Sequence, residues 1–128
     1  MNYYICSVGE PGKKYDDENV RQCMTNSGFF IHPHCKQKGS INDISEGDVL
    51  ILKYKGHFFA YGRAVNCVQE ISNGGWDLKV PVNGWITGVN IDKKGIQAAQ
   101  LTGNNYATVK HVDENFAKDT IKSIGFPF

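Results

Sequence analysis

Short apolar stretches recur along the chain between clusters of Gly, Asn, Asp and Pro, the pattern of a β-rich fold with few helices. Tyr3-Tyr4-Ile5-Cys6-Ser7-Val8 is rich in β-favouring side chains and stops at Gly9-Glu10-Pro11-Gly12, which predicts a first strand. Asp16 or Asp17 then caps a short helix over 19–26, where Val20, Cys23 and Met24 fall at i, i+3 and i+4 and Gly28 is placed to end it. Phe29-Phe30-Ile31 predicts a strand halted by Pro33. Residues 36–47 are polar and turn-like, and Gly47 can supply the positive φ of a tight turn. Val49–Tyr54 is apolar at successive positions and so predicts an interior strand, buried on both faces.

Lys55-Gly56 is short enough for a hairpin turn, which sends residues 57–68 back as a long antiparallel strand. Gly62 inside that strand marks a bulge or a close backbone approach. Asn73-Gly74-Gly75 is a further turn before a strand over 76–82, and Asn83-Gly84 is the dipeptide of a type I′ hairpin turn. Asp92 heads a short helical segment reaching Leu101, weakened by Gly95. A strand over 106–112 follows, and Asp113 caps a last helix with Phe116, Thr120, Ile121 and Ile124 on one face and Gly125 at its close.

These elements give an α+β class: five or six mainly antiparallel strands in a small mixed barrel, with helices over its openings. The 128 residues, without repeats or linkers, have room for one domain over 1–128. Aromatic residues are 12% of the chain, which reinforces the β-rich reading. The formal net charge of +1 provides no overall basic field, so a nucleic-acid partner would need a local pocket and a local basic patch. The opening residues carry no basic segment, apolar run or small-residue cleavage site, and no run reaches membrane-spanning length. A cytoplasmic location, no membrane partner and four reduced cysteines are therefore expected.

Several short patterns in order along nearly the whole chain resemble the EVE domain and its relative the YTH domain, of the PUA-like superfamily. Tyr3-Tyr4-Ile5-Cys6-Ser7 with Glu10-Pro11 is similar to the opening strand of EVE domains, with Val8 and Gly9 inserted before the Glu-Pro. Asp16-Asp17-Glu18-Asn19-Val20 leading to Gly28-Phe29-Phe30 resembles the YTH pattern of a capped helix running into a Gly-Val-Trp strand. Ile44-Ser45-Glu46-Gly47-Asp48-Val49-Leu50 looks like the superfamily's Gly-Asp turn, and Gly62-Arg63-Ala64-Val65 its next strand. Residues 105–112 before a capped helix resemble the closing strand and helix of EVE domains. The resemblance implies a PUA-like barrel that binds nucleic acid, DNA or RNA, and holds a modified, methylated base, flipped or unpaired, in an aromatic cage. No cofactor is implied. Stacking of a base on aromatic side chains contributes about 1–3 kcal/mol, and a methyl group adds apolar surface to desolvate.

By this resemblance Phe30 stands where YTH domains carry a cage Trp, though Phe has a smaller face and no indole N–H. A core role for one of Phe29 and Phe30 is equally open. Trp76 and Trp85 both sit beside Gly-containing turns, where a large aromatic lines a site or closes a barrel end; Trp85 is the preferred cage wall. Ser7, His32 and Asn105 are candidates for the polar edge of the base, against local roles as strand-end, metal-ligating or turn residues. Lys36, Lys38 and Arg63, in a group with Lys53 and Lys55, are candidates for phosphate.

No Gly-x-Ser-x-Gly elbow, Gly-rich phosphate loop or deaminase His-x-Glu with Cys-x-x-Cys is present, so a non-enzymatic role is expected. His32, His34 and Cys35 form the tightest set of possible ligands, and a small metal- or thiol-dependent enzyme centred there is the competing reading. A subunit binding another protein through a pocket rim is the third.

Overall fold

The computed structural model describes residues 1–7, 23–31, 41–54, 57–71, 77–87 and 109–124. Eight strands are described: β1 (Tyr3–Ser7), β2 (Gly28–Ile31), β3 (Val49–Tyr54), β4 (His57–Arg63), β5 (Gln69–Glu70), β6 (Leu78–Pro81), β7 (Ile86–Thr87) and β8 (Val109–Val112). A helix, α1 (Glu114–Ile124), follows β8, and a short 3-10 turn spans Ile41–Asp43. The strands form a five-stranded sheet in the order β7-β4-β3-β1-β8 and a three-stranded sheet in the order β2-β6-β5. The described strands therefore make two sheets rather than the closed barrel expected. Moreover, β1 lies parallel to β3, with Tyr3 opposite Val49 and Ser7 opposite Lys53, while the other pairings are antiparallel.

The split into two sheets has a local cause. The single strand expected over 57–68 keeps its pairing to β3 only as far as Arg63. Ala64 then donates its N–H to Asp48 O at 2.8 Å, and Val65 donates to Pro81 O at 2.9 Å, so the chain exchanges β3 for β6 as its partner. A single bridge between Ala64 and Val82 marks the corner. The Asn83-Gly84 pair is not the hairpin turn that its composition suggests. It carries the chain from β6 in the smaller sheet to β7 in the larger one, with φ of 130° at Gly84.

Strand alternation distributes the apolar residues over two cores. Tyr4, Cys6, Leu50, Leu52 and Ala60 face the smaller sheet and pack with Phe29, Phe30 and Val80. Tyr3, Ile5, Val49, Ile51 and Phe58 face the other way and pack against Ala117 and Ile121 of α1. β3 is thus buried on both faces, as its run of apolar residues predicts.

Loop chemistry holds the frame. Gly47 adopts φ of 90°, and the buried Asp48 carboxylate accepts the Asn2 and Ser45 N–H groups, both at 2.9 Å. Asp113 caps α1 as expected, its Oδ1 accepting the Phe116 N–H at 2.7 Å. At the earlier helix, of which residues 23–25 are described, the left-handed residue is Ser27 with φ of 48°, while Gly28 already belongs to β2.

Candidate functional site

Cys23 is the centre of a small aromatic and thiol cluster. Burial of β2 on both faces places Phe30 in the core, 1% exposed, with its N–H directed at Cys23 Sγ at 3.4 Å. The turn at Gly84 directs Trp85 inward, half-buried against the same core, and its indole Nε1 donates to Cys23 O at 2.9 Å. Ile86, the next residue, is turned outward and is 43% exposed. The position of Trp85 depends on Gly62. A Cβ at Gly62 would lie 2.9 Å from Gly84 O and 3.1 Å from Trp85 Cε3, so the glycine marks a close approach. The irregularity in β4 pairing lies elsewhere, between Leu52 and Lys53 of β3.

The thiols of this cluster are inert. Burial pushes the Cys23 thiol up to about 12, with the Phe30 N–H opposing the shift. The Cys6 thiol is likewise raised, by burial and then by proximity to Cys23. Both remain protonated at neutral pH, and a protonated thiol is neither nucleophile nor metal ligand. Cys6, Cys23 and Cys67 are free cysteines.

Phe30, then, is a core side chain and not an open stacking face. Lys79 Nζ sits 5.4 Å from its ring centroid, in cation–π range. Ser7 ends β1, half-buried, and by alternation points with Tyr3 and Ile5 to the α1 side of the sheet, away from Phe30 and Trp85. Arg63 ends β4 on the surface, its Nη1 within 3.2 Å of Met1 Sδ and 3.5 Å of Gly47 O. The structure thus joins Phe30 and Trp85 through Cys23 but sets Ser7 on the other face of the larger sheet. Trp76, His32, Asn105, Lys36 and Lys38 lie outside the described residues, as do His34 and Cys35.

Among the described residues, two open cavities adjoin the larger sheet. One, of about 260 Å³, is lined by Val49, Tyr61, Gly62, Arg63, Asn83, Gly84 and Ile86, and so adjoins the turn that carries Trp85. Ile86 escaped sequence reasoning because a two-residue strand such as β7 has too few positions to show alternation. The other, of about 400 Å³, lies between the start of β1 and the start of α1. There the Tyr3 hydroxyl donates to Glu114 Oε1 at 3.3 Å. Glu114 is held below the usual carboxylate range by Lys118, 3.0 Å away.

The smaller sheet, the larger sheet and the capped terminal helix together have known counterparts. The chain superposes on the YTH domain of the Zygosaccharomyces rouxii MRB1 protein, solved in complex with N6-methyladenosine RNA, with a TM-score of 0.62. The match covers 99% of this chain and 88% of that one, at 11% identity. The fold is YTH-like. A second structure, protein Atu2648 from Agrobacterium tumefaciens, matches with a TM-score of 0.54 and 11% identity, covering 98% of this chain and 94% of that one. No protein-family model and no curated protein matches the sequence.

Proposed function

We propose that this chain is a non-enzymatic, EVE- or YTH-like module of PUA-like type that captures a methylated base, flipped or single-stranded, in nucleic acid. The observation that carries the reading is the YTH-like fold over 99% of the chain, shared with a domain solved in complex with methylated RNA. Trp85 supplies the accessible stacking face, because it is half-buried at the surface of the first core. Phe30 is the wall behind it, reached only if the packing above the ring opens. Trp76, His32 and Asn105 complete the cage and read the polar edge of the base. Lys36, Lys38 and Arg63 contact phosphate. The neutral thiols of Cys6 and Cys23 favour binding over thiol chemistry at this cluster.

The test is a fluorescence titration with short single-stranded DNA and RNA, carrying unmodified or methylated adenine and cytosine. Tryptophan quenching that prefers one methylated base, and is lost in Trp85→Ala with an unchanged circular dichroism spectrum, is the expected result. Equal or absent binding to every oligonucleotide removes the reading. Stoichiometric zinc that disappears in His34→Ala or Cys35→Ala would instead favour the enzyme reading and count against a pure base reader.

A further inference from the structure

Three neighbouring strands of the larger sheet bring an unexpected group together on its α1 side. Ser7 of β1 is paired with Lys53 of β3, and Ile5, two residues back on the same face, is paired with Lys110 of β8. Lys53 shares its face with Val49 and Ile51, and Lys110 with Val112, so both lysines and Ser7 project to the same side. Strands are about 4.8 Å apart, so the two lysines flank β1 at a separation that their four-carbon stems can close over one small group. No hydrogen bond or ion pair reaches the Lys53 ammonium or the Ser7 hydroxyl from the described residues. Lys53 is half-buried, and its ammonium is lowered by burial and then by the charge of Lys110. Lys110, which has a further interaction of its own, adds its positive charge to the face where Lys53 is half-buried, and an anion beside Lys53 offsets that repulsion.

We propose that Lys53, Lys110 and the Ser7 hydroxyl form a phosphate cradle across β3, β1 and β8 that takes a backbone phosphodiester of the bound nucleic acid. The inference rests on the nucleic-acid reading above and adds to it a site that the amino-acid pattern alone does not assemble. Its location suits that partner. Cys6, one residue before Ser7, faces the Cys23, Phe30 and Trp85 cluster, so the end of β1 presents an aromatic cluster on one face and the cradle on the other. A single strand crossing this end can direct a base to one side and a phosphate to the other.

The experiment measures binding of three short single-stranded RNAs across a salt series: one with N6-methyladenosine, its unmodified twin and a version abasic at that position. Proteins compared are the wild type, Lys53→Gln, Lys110→Gln, the double variant and Lys122→Gln as an exposed control. Each lost phosphate contact lowers the slope of log K against log salt by about 0.7 for a single strand, and weakens binding about fivefold near 0.1 M salt. The double variant should lose about 1.4 from the slope, by the same factor for all three RNAs, while Lys122→Gln changes neither quantity. Lys53→Gln should also raise the melting temperature of the free protein, because it removes a half-buried, repelled charge. Weaker binding with greater stability is a combination that a purely structural lysine does not produce.

Wild-type slopes in both single variants and the double variant overturn the cradle even where the methylated base is still preferred. A loss confined to the methylated RNA overturns it too, since it assigns the lysines to the base. Equal wild-type affinity for methylated and unmodified RNA, with the slope still falling in the variants, overturns methyladenine in RNA as the base and leaves the cradle standing. Absence of binding to all three RNAs overturns the cradle as a site for RNA, and absence of binding to the DNA and RNA set of the titration above overturns both.

Discussion

Cys23 shows how much one small side chain can organise. Its carbonyl accepts the Trp85 indole, its sulfur accepts the Phe30 N–H, and its thiol is raised to about 12 by burial. A thiol whose folded value lies above its ordinary 9.0 contributes stability that is complete below pH 9 and lost as pH rises towards 12. Three pH units correspond to roughly 4 kcal/mol, so urea midpoints should fall steeply over this window. Cys23→Ala should fall less steeply there, after correction for its lower starting stability; parallel curves would show that the thiol does not carry the effect. The Trp85 bond gives a second expectation at this scale. Trp85→Phe removes the donor but leaves the Cys23 carbonyl inside the cluster, which should cost about 1 kcal/mol in equilibrium unfolding. A change of only a few tenths would mean that the carbonyl finds water.

At the scale of elements, the decisive feature is the corner where β4 gives way to the smaller sheet. Gly62 lets Gly84 and Trp85 approach, and a methyl group there meets backbone oxygen at 2.9 Å, which cannot swing aside as a side chain can. Gly62→Ala should therefore destabilise by about 1–3 kcal/mol and shift the tryptophan emission as Trp85 moves. A fully native spectrum and melting curve would show that the turn can relax. The cap of α1 is a milder case, and Asp113→Ala should cost about 1 kcal/mol, read from thermal unfolding. These elements differ in how far they were legible. The interior strand β3, the Gly47 turn and the Asp113 cap follow from local chemistry: apolar residues at successive positions, a required positive φ and a side-chain acceptor before a helix. The corner does not, because 57–68 alternates like one strand and only the carbonyls of Asp48 and Pro81, far away in the chain, decide where it changes sheets. Asn83-Gly84 misleads for the same reason: a turn dipeptide declares a reversal but not which strands it joins. Phe30 was ambiguous because a strand buried on both faces gives no alternation from which to choose an outward residue.

For the whole molecule, the two-sheet arrangement places the most stable strands in the larger sheet and the Phe30 wall of the proposed base site in the smaller one. β1 and β3 have a hydrogen-bonded neighbour on each side and a packed core on each face. Their amides at Ile5, Cys6, Ile51 and Leu52 should exchange with solvent only through global unfolding. The smaller sheet is a lesser barrier: β5 has two residues, both exposed, and β2 is joined to it only through β6. Phe30 is 1% exposed, so a base can reach its ring only when β2 or what covers it opens locally, not when the larger sheet melts. A base bound by this route is held by the opened form, so binding shifts the population toward it. Hydrogen exchange followed with and without methylated single-stranded RNA should show β2 losing protection, while Ile51 and Leu52, which open only globally, gain it. Uniform protection at every strand would instead indicate binding to the folded state as a whole, with no opening at Phe30. Protection confined to Trp85 and its turn would leave Phe30 a core residue in the complex as well, and the base would then stack on the indole alone.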